Sequence, residues 1–119
     1  MPEFLDPFRG KLPDRMLTTD ELVRAIRQNI AAEEEAVHLY MAHAQATDNA
    51  LAKKVLVDIA DEERVHVGEF SRLLSVLTGG EEDKFLAEGA EEVNAMAAEL
   101  GMPPGATDGG GLTIGPMKD

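Results

Sequence analysis

Glu63-Arg64-Val65-His66 sets a carboxylate and an imidazole three residues apart, and on a helix these two side chains lie on one face within reach of a single ion. Acidic helices produce such a motif often by chance, so its position decides its meaning. Both residues fall in the series Ala52, Leu56, Ile59, Glu63, His66, Phe70, Leu73 and Leu77, whose steps of 3 and 4 predict one apolar helix face. An unpaired carboxylate on that face costs several kcal/mol unless it is neutralised, hydrogen-bonded or bound to metal. Glu33 poses the same question in a second stripe, Leu22, Ile26, Ile30, Glu33, Val37, Tyr40 and Ala44. If Asp48 marks the turn of an antiparallel hairpin, Glu33 stands 15 residues before it and Glu63 15 residues after it. Both carboxylates are then about 22 Å from the turn, at one level.

The chain has no cysteine, which excludes a disulfide framework, a thiolate zinc site, an iron-sulfur cluster and a thiol nucleophile. Two carboxylates and a neutral imidazole suit iron first and manganese second. Calcium rarely uses histidine, and structural zinc usually brings thiolate. A di-iron site in a helical bundle needs a Glu from each of two helices and a Glu-x-x-His from each of the other two. Glu33, Glu63 and His66 supply one of each, half of such a site, so a second chain is required to complete it.

The elements that must hold these residues are legible from their ends. Thr18-Thr19-Asp20-Glu21 fits a capping box, with Leu17 and Leu22 placed as a hydrophobic staple, so a first helix starts there and runs to about Thr47. Thr47-Asp48-Asn49 supplies a tight turn and the next N-cap, and Gly79-Gly80 stops the second helix. We divide the chain into an irregular Pro-punctuated arm (1–17), a helical hairpin (18–78), a short third helix (79–101) and a flexible tail (102–119). The third helix carries Phe85, Leu86, Val93, Met96 and Leu100, is interrupted by Gly89, and its burial is left open. The Gly- and Pro-rich tail cannot bury enough apolar surface to fold alone. The expected fold class is therefore all-α: an antiparallel two-helix hairpin plus a short C-terminal helix, completed by dimerisation.

Composition supports that expectation. A chain of 119 residues is one domain by length, and 44% hydrophobic residues with only 4% aromatics and no Trp leave few large side chains for an isolated core. Burial is expected to finish against another copy, in a homodimer that assembles into a higher homo-oligomer. A net charge of −12 argues against nucleic acid and anionic membranes and favours attraction of cations. The N-terminal stretch has no apolar run of about seven residues, and nothing approaches the ~20 residues of a membrane span. The chain reads as cytoplasmic.

The run Glu33-Glu34-Glu35-Ala36-Val37-His38-Leu39-Tyr40, followed about 30 residues later by Asp61-Glu62-Glu63-Arg64-Val65-His66, resembles the ferritin-like superfamily, and most closely the encapsulated ferritins. The resemblance covers roughly residues 20–78 and implies half of a ferritin-like four-helix bundle. It implies Glu33, Glu63 and His66 as ferroxidase ligands, with Tyr40 the aromatic beside them. Some relatives have Trp before that tyrosine, where this chain has Leu39, and no role of the Trp is transferred. The tail sequence Gly111-Leu112-Thr113-Ile114-Gly115-Pro116-Met117-Lys118 is similar to the C-terminal peptide that loads such proteins into encapsulin shells, although Pro116-Met117 departs from the commoner ending. A short apolar peptide on a tether suits a groove on a protein partner. The resemblance thus implies Fe(II) oxidation by a cargo protein held in an encapsulin nanocompartment.

Other readings share these residues. A non-catalytic dimerising hairpin would pair its buried Glu and His with one another, and a rubrerythrin-like or manganese-dependent redox protein would use the same ligands. Glu62 competes with Glu63 for the face shared with His66, and Glu34, Glu35, Glu62 and Asp61 are either solvated or mark an ion path. Tyr40 is either core or a group beside the metal. His38 and His43 lie off the stripe and are expected to be exposed.

Overall fold

The computed structural model describes residues 14–103, so most of the N-terminal arm and the tail peptide at 112–118 lie outside the described residues. Among the described residues the regular secondary structure is all helix: α1 (Thr19–Gln45), α2 (Ala50–Leu77) and α3 (Glu81–Glu99). It divides into two units, Met1–Leu77 and Thr78–Asp119. The first holds α1 and α2 as an antiparallel hairpin packed along its length.

α1 begins at a capping box. The Thr18 hydroxyl accepts from the Glu21 amide at 3.2 Å, and the Glu21 carboxylate accepts from the Thr18 amide at 2.9 Å. Arg15 adds a clamp that the sequence did not suggest, donating through both terminal nitrogens to Glu21 at 2.7 and 2.6 Å. These bonds, Arg15 first and the Thr18 amide second, hold the Glu21 carboxyl down at about 2, against an ordinary 4.5. α1 stops at Gln45, short of the expected Thr47, because Thr47 turns its hydroxyl to the Asn49 amide at 3.1 Å. Asn49 then caps α2, its side-chain oxygen accepting from the Ala52 amide at 2.9 Å. Beyond Leu77 the chain passes through Gly79 and Gly80 at φ 68° and 88°, a region that costs an L side chain about 1–2 kcal/mol.

Ile26 and Ala44 from α1 and Ala60, Leu74 and Ser75 from α2 are buried. Burying Ile26 and Leu74 stabilises the hairpin by roughly 1.5–3 kcal/mol each. The predicted stripe of α1 runs through its buried positions. On α2 the most buried apolar positions, Ala60 and Leu74, sit one residue beyond the predicted Ile59 and Leu73, which are 37% and 40% exposed. The apolar face of α2 is therefore wider than α1 covers.

In the second unit, the Thr78 hydroxyl accepts from the Glu82 amide at 3.2 Å, and α3 ends where Gly101 takes φ 74°. No residue of α3 is buried, and Phe85, Leu86, Val93 and Met96 all stand exposed. No helix among the described residues is long and apolar enough to cross a membrane.

Candidate metal centre

The antiparallel pairing of α1 and α2 brings Glu33 from one helix to Glu63 and His66 from the other. One ligand atom from each lies within 4.8 Å of the other two. The His66 Nδ1 stands 3.6 Å from Glu33 Oε2 and 3.7 Å from Glu63 Oε1. Both distances exceed the 2.7–3.2 Å of an ordinary hydrogen bond, so the donors surround a space rather than bonding one another. The glutamate side chains are each 20% exposed and the imidazole 45% exposed.

Glu33 Oε2 is buried and has no hydrogen-bond partner. Leaving a buried acceptor unmet costs about 1–3 kcal/mol, more when it carries charge, and the fold must tolerate that cost for some gain. A cation among the three donors removes it. Ligands at ~2.1 Å from a common centre stand up to ~4.2 Å apart, so the two His66 separations already suit one ion and the carboxylates need only small rotations. Two oxygens and one nitrogen would leave coordination positions unfilled on an ion held there.

Beside the cluster, one face of α2 is left uncovered. Val55, Ile59, His66 and Leu73 follow one another at intervals of 4, 7 and 7, a single stripe, and the side chain of each reaches solvent. Val55 is 46% exposed, and a row of exposed apolar residues, unlike a lone valine, marks a surface suited to burial against a partner.

The remaining residues singled out by sequence lie elsewhere. Glu62 is exposed on α2 and outside the cluster, whereas its neighbour Glu63 is in it. Glu34 and Glu35 are exposed, and Asp61 accepts from Arg64 at 3.1 Å. His38 and His43 are exposed, as their off-stripe positions suggested. Tyr40 is half-buried on the Glu33 stripe, two helical turns or about 10 Å along the axis from Glu33. A groove on α1, lined by Val37, His38, Met41, Ala42 and Gln45 with Arg64 of α2, has no counterpart in the sequence pattern, because no periodic signal links Arg64 to those residues.

Comparison with known proteins agrees with the helical-hairpin fold. The rubrerythrin family profile matches residues 24–102, a span that contains all three clustered residues. The chain is 37% identical to the encapsulin nanocompartment cargo protein EncC of Myxococcus xanthus, over 99% of both chains. It is 39% identical over 83 residues to a ferritin-like-encapsulin shell fusion protein of Pyrococcus furiosus, covering 70% of this chain and about a quarter, 24%, of that protein. Among solved structures, the encapsulated ferritin domain from Pyrococcus furiosus superposes with a TM-score of 0.69 at 37% identity, covering 72% of this chain and 87% of that one.

Proposed function

The chain belongs to the rubrerythrin family within the ferritin-like fold, and on that premise we propose that it is a ferroxidase, oxidising Fe(II) to Fe(III) as cargo of an encapsulin shell. The observation that carries the reading is the Glu33, Glu63 and His66 cluster, with its buried, unpartnered Glu33 oxygen beside an uncovered apolar stripe. Two copies related by a twofold axis would bring two such clusters together and cover Val55, Ile59 and Leu73. The completed site would have the two Glu and two Glu-x-x-His contributions of a bundle di-iron centre.

Fe(II) is substrate here: two Fe(II), one per half-site, would each give one electron to dioxygen, which with two protons leaves as hydrogen peroxide. Glu33 and Glu63 hold the cation in either oxidation state, because hard carboxylate oxygens suit both. His66 contributes a nitrogen donor, its partial exposure leaving it reachable from the open side. The acidic surface, with a net charge of −12, raises the local concentration of the incoming cation. A half-bundle encloses no storage cavity, so a separate shell would hold the Fe(III) product. The tail peptide from Leu112 to Lys118 would dock the chain there, which would place it in a nanocompartment in the cytoplasm. The similarity to a cargo protein over nearly the whole of both chains supports this.

Anaerobic Fe(II) titration with metal analysis, followed by admission of air and optical detection of Fe(III), tests the chemistry. Glu63→Ala or His66→Ala should abolish rapid oxidation with the helices retained. Unchanged rates in both variants would refute the assignment and leave the non-catalytic dimerising module. A stable monomer holding two irons by native mass spectrometry would refute the shared site. Deleting residues 112–119 should leave oxidation intact and abolish co-purification with a co-expressed shell protein.

A further inference from the structure

The groove beside Arg64 has a composition at odds with the rest of the chain. It is half-open, about 280 Å3, and is lined by Val37, His38, Met41, Ala42 and Gln45 of α1 and Arg64 of α2. The chain carries 23 acidic residues, yet none lines this groove. Its polar lining is instead an imidazole, a carboxamide and a guanidinium, all of which can donate. The side chains of His38 and Gln45 have no hydrogen-bond partner among the described residues. Arg64 donates once, from one terminal nitrogen to Asp61 at 3.1 Å, and a guanidinium has five N–H groups arranged as a planar fork. Val37, Met41 and Ala42 supply its apolar lining.

The groove's lining does not include Glu33, Glu63 or His66. Glu63 points to the cluster, and Arg64, the next residue on α2, is turned from it by about 100° of helix. One hairpin thus gathers cation donors at one place and anion donors at another.

We propose that this groove binds a small oxyanion, a phosphate or the carboxylate of a small organic acid, with Arg64 as the principal donor and His38 as a second. Planar bidentate recognition of an oxyanion is what a guanidinium with free N–H groups does best. Asp61 opposes the ligand by its charge and holds the guanidinium in place by its hydrogen bond, so affinity is modest and rests on Arg64.

The test uses the full-length chain stripped of metal with chelator and then dialysed, so that no iron can bind the anion. Inorganic phosphate is titrated at 0.15 M chloride by equilibrium dialysis, with citrate in a parallel arm and additional chloride as competitor. Saturable binding of phosphate or citrate that falls about tenfold in Arg64→Gln, falls less in Arg64→Lys, and weakens in His38→Ala supports the site. The tighter of the two anions identifies the source. The far-UV circular dichroism of Arg64→Gln should match the parent chain, since the exposed Arg64–Asp61 pair contributes little to folding. Absence of saturable binding, equal affinity in Arg64→Gln, or displacement by chloride as readily as by citrate would overturn the proposal. Because every arm is metal-free, its failure leaves the ferroxidase reading standing, and the reverse also holds.

Discussion

Replacing Glu33 by Gln should make the metal-free protein more stable while removing its response to metal. Ligand atoms of Glu33 and Glu63 lie within 4.8 Å, and two unit charges at that distance repel by about 3.5 kcal/mol at an effective dielectric of ~20. Both side chains retain some exposure, so screening reduces this to about 1–2 kcal/mol. Glutamine removes that repulsion and brings an NH2 group able to donate to Glu63, at nearly constant volume. A gain of ~1 kcal/mol raises the melting temperature of a domain this size by roughly 4–8 °C. The assay is a thermal melt followed by circular dichroism at fixed, low protein concentration, first with chelator and then with Fe(II) under argon. In the parent chain, metal at a hundred times its dissociation constant adds about 2.7 kcal/mol, and Glu33→Gln should lose most of that addition. A variant that melts below the parent in chelator would refute the picture of a strained, unpartnered carboxylate. One that keeps the full metal-induced shift would remove Glu33 from the site.

Further outcomes follow from single residues. Glu21 has a folded-state pKa below its ordinary value, so its contribution is present above pH 4.5 and is lost as the pH falls towards 2. In Arg15→Gln its carboxyl midpoint, read by carbon NMR, should move up towards 4.5, and an unmoved midpoint would deny Arg15 its leading part. Gly68 sits exposed within α2 with nothing within 4 Å of the place an added methyl would take, whereas Gly79 has φ 68°. By urea denaturation Gly68→Ala should stabilise the chain by about 1 kcal/mol and Gly79→Ala should destabilise it by a similar amount. Equal signs would contradict the backbone assignment at one of them.

Much of the fold was legible because its signals are local. Thr18 and Glu21 announce a helix start through hydrogen bonds that span three residues, and Asn49 caps α2 in the same way. The meeting of Glu33 with Glu63 and His66 was legible for a different reason, since two straight helices and one turn convert sequence distance directly into height. What the pattern could not show is which partner covers a given apolar residue. Ile59 and Ala60 are adjacent and both apolar, but only Ala60 is buried, and hydrophobic spacing alone does not separate a face turned to α1 from one turned outward. The Arg15 clamp was likewise invisible, because a bidentate pair six residues apart, reaching into a cap, follows no helical period.

The position of the turn midway between Glu33 and Glu63 makes the hairpin tolerant of length changes at some places and intolerant at others. A residue inserted at Thr47 or Asp48 lengthens a connection that none of the clustered side chains depends on for its direction. A residue inserted between Asn49 and Glu63, within α2, displaces Glu63 and His66 by about 1.5 Å and swings both through about 100°, away from Glu33. The same insertion after Leu73 leaves the cluster in register. Insertions and deletions in descendants of this chain are therefore expected to accumulate at the turn and beyond the outer ends of the segments that carry the cluster. The two stretches joining the turn to the carboxylates act as rulers of fixed length, copied unchanged even where their individual residues drift.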